Sequence, residues 1–157
     1  MAITIYGTLE KANIYFDDIG LSDTWDLYTD TQKNRALARA TKQVDNLHYA
    51  GEKYEYTQAR KFPRSLDCYR GQIYLDVDTD GNVITPIPVE EATYIQAKFL
   101  LDYADDAAIN ALNAGITSQS IGSTSESYDK AMLPIDVKSG LCRESLELLK
   151  PYLLGGV

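Results

Sequence analysis

Residues 88–115 read PVEEATYIQAKFLLDYADDAAINALNAG, and this stretch decides the fold class. Pro88 suits the first turn of a helix, where its missing N–H costs nothing, and Glu90-Glu91 complement the dipole there. Ala92, Ile95, Phe99 and Tyr103 recur at helical spacing, and Leu100, Leu101, Ala104, Ala107 and Ala108 widen that stripe around most of the circumference. A helix this apolar belongs at the centre of a bundle or between chains. Gly115 marks its expected end.

Two further helices precede it. Thr8 to Asp18 carries Leu9, Ala12, Tyr15 and Phe16 on one side, until Gly20 and Leu21-Ser22-Asp23 interrupt the pattern. Thr29-Asp30 then offers an N-cap before TQKNRALARATKQVDNL. Leu37, Ala40, Val44 and Leu47 form its apolar stripe, widened by Ala36, with Lys33, Arg35, Arg39 and Lys42 mostly turned away from it. From Glu52 to Pro88 the helical period disappears. Asp78-Thr79-Asp80-Gly81 between QIYLDV and NVITPI predicts a short β-hairpin over about 72–86. An isolated ribbon is marginal in water, so it should lean on a helix or another subunit.

Residues 113–130 hold ten Ser, Thr, Gly or Asn among eighteen, which predicts an extended, flexible polar arm. A last helix runs from about Val137 to Lys150 with Leu141, Leu146, Leu148 and Leu149, and Pro151 limits it. Residues 151–157 should form a frayed or partner-bound tail. The expected architecture is one mainly α domain over 1–157: a small helical bundle with a short β-hairpin and the polar arm.

At 157 residues the chain is long enough to bury a real core. No stretch approaches a membrane span, and the N-terminus reaches acidic residues too early for a signal peptide. Cys68 and Cys142 are too few and too far apart for a disulfide framework or a metal-ligand cluster. The net charge of -8 is unevenly divided. Lys33 to Arg70 holds nine bases against four acids, a balance of +5 that leaves -13 for the rest. An acidic body repels polyanions over most of its surface while one basic segment can meet an acidic neighbour, including another copy.

Catalytic patterns are missing. His48 has no G-x-S-x-G serine, cysteine partner or H-E-x-x-H spacing around it, and reads as a packed or surface residue at a helix end. No glycine run cradles a phosphate. Asp76-Val77-Asp78-Thr79-Asp80-Gly81 reproduces the opening of an EF-hand loop, making Asp76, Asp78 and Asp80 a calcium candidate. Position twelve falls on Ile87 instead of a bidentate Glu, so an acid-studded hairpin turn is the competing reading. These residues predict no enzyme and no cofactor. Tyr49, Tyr54, Tyr56 and Tyr69 interleave with Lys53, Arg60, Lys61, Arg64 and Arg70, a mixture that suits single-stranded nucleic acid. It equally suits a protein interface, which the -13 remainder favours.

The ordered series Tyr15-Phe16, Trp25, Ala40-Thr41, Gly51, Gln58, Phe62-Pro63-Arg64 and Ile87-Pro88 resembles the head–tail connector (adaptor, head-completion) proteins of tailed phages, often described as DnaT-like single-strand-binding proteins. The resemblance runs through YFDDIGLSDTW, KNRALARATKQVDNL, YAGEKYEYTQARKFPR, IPVEEATYIQAKFLL and GITSQSIGSTSESYD, from about Ile14 to Tyr128. It implies a helical protomer that assembles as a ring, commonly dodecameric, beneath the portal protein. There it would extend the channel for passing genomic double-stranded DNA and dock stopper or tail-completion proteins. The implied location is the virion, with host cytoplasm during assembly and no membrane. Under that resemblance Tyr15, Phe16, Trp25, Phe62, Pro63 and Arg64 are expected as core or positioning residues. Arg35, Arg39, Lys42, Arg60, Lys61, Ile116, Ile121, Tyr128, Tyr152 and Leu153 are the expected partner contacts. Single-stranded DNA binding through residues 49–70 stands as the alternative.

Overall fold

The computed structural model describes residues 4–65, 76–106, 109, 118–121, 124–127, 135–136 and 138–154, with 118–121 and 124–127 described by backbone alone. Helix α1 (Leu9–Asp18) is started by Thr8, whose hydroxyl accepts from the Lys11 N–H. It ends in a Schellman turn, in which the N–H groups of Leu21 and Gly20 donate to the carbonyls of Phe16 and Asp17. Gly20 holds φ 72° there, a conformation a β-carbon would oppose. The turn leads into α2 (Ser22–Trp25), which lays Trp25 against Phe16 with ring centroids 4.5 Å apart.

Helix α3 (Asp30–Asp45) opens with a complete capping box between Thr29 and Gln32. Its Ala36, Leu37, Ala40 and Val44 are buried, and α3 packs most extensively on α4 (Ile87–Asp102). Lys33 corrects the expected solvent face of α3, being only 4% exposed. Its ammonium lies 5.1 Å from the Trp25 ring centre, 2.8 Å from Asp26 and 3.5 Å from Asn13, so partners offset its burial.

The central helix α4 buries Val89, Ala92, Thr93, Tyr94, Ile95, Gln96, Ala97 and Phe99. It stops at Asp102, well short of Gly115. The Asp106 N–H turns back to the Tyr103 carbonyl, and the Asp106 carboxylate accepts the Ile109 N–H. A short acidic side chain that bonds local backbone competes with helix continuation. The same competition delays the last helix, α5 (Arg143–Leu149), beyond the expected start at Val137. Asp136 takes the backbone and hydroxyl of Ser139, and Ile135 bridges to Cys142 before α5 begins. A 3₁₀ turn, Lys150–Tyr152, follows α5.

Among the described residues two small antiparallel ribbons complete the fold, which is mainly α with a small hairpin. β1 (Glu52–Lys53) pairs with β2 (Arg64–Ser65), and β3 (Ser118–Ile121) pairs with β4 (Thr124–Ser127). The expected polar arm therefore contains the longer hairpin. Around 72–86 the described part is a turn closed by the single bridge Val77–Val83. Among the described residues no helix is long and apolar enough to cross a membrane.

The N-terminal strap fastens these pieces together. Tyr6 donates its N–H to Thr41 at 3.2 Å, and Gly7 lies under the Tyr94 ring at φ 78°. A β-carbon at Gly7 would sit 1.9 Å from the Tyr94 hydroxyl oxygen. Gly7→Ala is expected to cost about 2 kcal/mol, from backbone strain and displacement of Tyr94. Urea titration reads this cost; an unchanged midpoint would refute the close approach.

Candidate interaction surfaces

The segment expected to carry exposed cations and rings is tied into the fold. The Arg64 guanidinium donates to four carbonyls: Ala50 at 2.8 Å, Lys61 at 3.3 Å, Tyr49 at 3.4 Å, and Gly51. Arg60 bonds the Thr4 carbonyl at 2.9 Å and lies 3.8 Å from Asp45. The Lys61 ammonium donates to the Leu47 carbonyl at 2.6 Å and faces the Tyr49 ring at 6.0 Å. Lys53 donates to the Gln58 carbonyl at 3.1 Å. The Gln58 side chain in turn takes the Glu55 N–H and donates to the Arg60 and Pro63 carbonyls, bracing the β1–β2 connection. These cations close loops whose carbonyls would otherwise lack donors.

The aromatic residues divide in the same way. Phe62 is 4% exposed, is joined to Pro63 by a cis peptide, and is ringed edge-on by Tyr6, Tyr49 and Tyr152. Tyr6 donates to Asp45 and accepts the Phe62 N–H at 3.2 Å. Trp25 is buried and its indole N–H donates to Asn13 at 2.8 Å, while the half-buried Tyr15 packs edge-on against Phe16. Tyr152 and Leu153, expected at a partner, are half-buried and contact their own chain. The Tyr152 carbonyl accepts the Ala50 N–H, Leu153 bridges Tyr49, and Leu154 donates to the His48 carbonyl. Closing the chain end on the 48–50 loop satisfies backbone groups that a frayed tail would leave to water. Ile116, Tyr128, Tyr69 and Arg70 lie outside the described residues.

Burial raises the phenol pKa of Tyr6, Tyr15, Tyr49, Tyr94 and Tyr152 above the ordinary 10.0, helped at Tyr6 and Tyr49 by Asp45 and at Tyr94 by Glu90. Desolvation, then the hydrogen bond to Asp102, pushes Tyr28 up to about 12. The fold holds these protons more tightly than the unfolded chain does. Their contribution to stability is therefore present below pH 10.0 and lost as the pH climbs toward 12. Denaturant midpoints should fall steadily above about pH 10; midpoints flat through pH 12 would contradict the buried-phenol arrangement.

Among the described residues three surface features bear on binding. Arg35, Arg39 and Lys42 are exposed on α3, and among the described residues they make no hydrogen bond or ion pair. Tyr56 is 97% exposed, at the tip of the braced β1–β2 connection, with Glu55 beside it. A groove of about 380 Å³ opens between α1, α4 and the start of α5. Phe16, Ile95 and Phe99 line it together with the partly exposed Ile19, Leu21 and Tyr103, while Lys98, Asp102, Arg143 and Glu144 supply its polar lining. Its composition suits apolar side chains of a protein partner.

No reactive centre stands out among the described residues. Asp78 spends both carboxylate oxygens on its own turn, accepting the N–H groups of Asp80 and Asn82 and the Asn82 side-chain amide. Among the described residues no three His, Cys, Asp or Glu side chains come together to hold a metal, so Asp76, Asp78 and Asp80 do not converge. Burial pushes the Cys142 thiol up to about 11, which keeps it protonated. Sequence reasoning missed a buried polar junction. Gln96, fully buried, accepts the Cys142 N–H at 2.8 Å and donates to Gln43 at 2.9 Å and the Gly140 carbonyl at 3.3 Å. Ser145 similarly donates to the Ala92 carbonyl at 2.7 Å. Polar residues within an apolar helical pattern, as Gln96 is, were the available signal.

The arrangement defines a small helical protein whose polar side chains mainly position its own loops, and whose exposed features among the described residues include a basic face on α3 and an apolar groove between α1, α4 and α5. Residues 5–156 match the model of the family described as "Putative DnaT-like ssDNA binding protein", and the chain belongs to that family. No curated protein and no solved structure matches the chain.

Proposed function

We propose that the chain is a structural, non-enzymatic virion protein, a head–tail connector. It would form a ring under the portal, extend the DNA channel and dock stopper or tail-completion proteins, without a cofactor or specific DNA contacts. The ordered residue series from Tyr15 to Pro88 supports this reading. The observation that carries it against the alternative is the use of Arg60, Lys61 and Arg64 inside the fold. Cations that bond backbone carbonyls are poorly placed to neutralise phosphates, and the chain outside Lys33 to Arg70 carries a net -13. The family description favours single-stranded DNA binding, which would have to use Arg35, Arg39 and Lys42 instead.

Gel shift with a labelled oligothymidylate at low and physiological salt separates the two. Binding no tighter than about 10⁻⁴ M at physiological salt is expected. Tight, steeply salt-dependent binding that disappears in R35Q/R39Q/K42Q would establish the alternative. Neutralising Arg60, Lys61 and Arg64 cannot serve here, because those changes strike the fold.

A further inference from the structure

Arg35, Arg39 and Lys42 fall at i, i+4 and i+7 on α3, within a sector of about 60° at ~100° per residue. Like charges at this spacing repel, by a few tenths of a kcal/mol per pair. Among the described residues no acid pairs with them: Asp45, on the same helix, is held by Tyr6, Arg60 and the Lys61 N–H. The stripe is an electrostatic cost to the isolated protomer, and the small, half-buried Ala38 lies on its flank.

A second corner of the molecule carries the opposite misplacement. Asp17 and Asp18 are the last two residues of α1, at the negative end of the helix dipole, with no basic residue in the last turn. Both are exposed and neither side chain has a partner among the described residues. Directly after them Ile19 and Leu21 stand 44% and 43% exposed at the groove. Each surface breaks a local rule, and each supplies what the other lacks.

We infer that the α3 stripe of one copy receives the Asp17–Leu21 corner of a second copy. The carboxylates face Arg35, Arg39 and Lys42, while Ile19 and Leu21 lie toward Ala38. The two surfaces are different parts of one chain, so the contact is head-to-tail. Every copy keeps one free stripe and one free corner until a ring closes. This pairing deepens the connector reading and rests on it for its biological setting.

The test uses reversed charges and sedimentation velocity. Wild-type protein is expected to self-associate at low salt and less so at high salt. R35E/R39E/K42E and D17K/D18K should each weaken association by at least about tenfold, because each then presents like charges on both faces. Mixed in equal amounts, the two variants should associate again, since each supplies the face that the other has lost. Matching thermal melts qualify both variants as folded; the neutral R35Q/R39Q/K42Q and D17N/D18N serve where a reversal does not fold. Wild-type protein that stays monomeric at every concentration and salt, variants that associate like wild type, or a mixture that stays monomeric would each overturn the pairing. None of these results bears on whether the chain is in a virion, and its absence from virions would leave a measured pairing intact.

Discussion

Arg64→Met is expected to lower the folding free energy by about 2–3 kcal/mol, a loss set by charged hydrogen bonds and by the acceptors left behind. The guanidinium ties the 49–51 loop to the Lys61 carbonyl from the start of β2, and it is the common donor for four carbonyls there. Methionine keeps much of the aliphatic volume but returns none of the donors. Arg39→Met provides the contrast, because Arg39 is exposed and unpaired among the described residues, and should stay within about 0.5 kcal/mol of wild type. Urea titrations of the two variants, followed by circular dichroism, read the difference. Equal losses would mean that Arg64 is not the lock described above, and would reopen it as a ligand-binding cation.

Trp25→Ala should cost more, about 3–5 kcal/mol. The indole is fully buried, stacks at a tilt on Phe16, bonds Asn13 and lies under the Lys33 ammonium. Its removal opens a cavity between α1, α2 and α3 and takes the ring from beneath Lys33, which keeps Asp26 and Asn13 as partners. Trp25→Phe separates the contributions, refilling most of the volume while removing the N–H, for a loss nearer 1–2 kcal/mol. A loss below about 1 kcal/mol for Trp25→Ala would be incompatible with a packed indole.

The helices were legible in the sequence because caps and periodicity agreed. Thr8, Thr29 and Pro88 mark the starts of α1, α3 and α4, and Ala36, Leu37, Ala40 and Val44 of the predicted α3 stripe are buried, with Lys33 and Thr41 added to them. Helix ends were less legible. Asp106 and Asp136 capture local N–H groups, and apolar periodicity carries no trace of that competition. The β3–β4 pairing hid within a polar run, although Gly122-Ser123 between Ile121 and Thr124 has the two-residue spacing of a hairpin loop. The surface chemistry misled most. Net charge over Lys33 to Arg70 counts cations without saying where they point. Arg60, Lys61 and Arg64 turned inward, Lys33 was buried under Trp25, and the basic face shrank to Arg35, Arg39 and Lys42. Only backbone geometry shows which carbonyls need a donor.

The connector reading is tested most directly by imaging purified tailed particles produced from the genome that encodes this chain, with mass spectrometry of the same particles. The prediction is a ring of density at the portal exit into which the α1–α5 body fits, and the chain among the particle proteins. Particles that lack the chain, or a portal exit bordered wholly by other proteins, would contradict it.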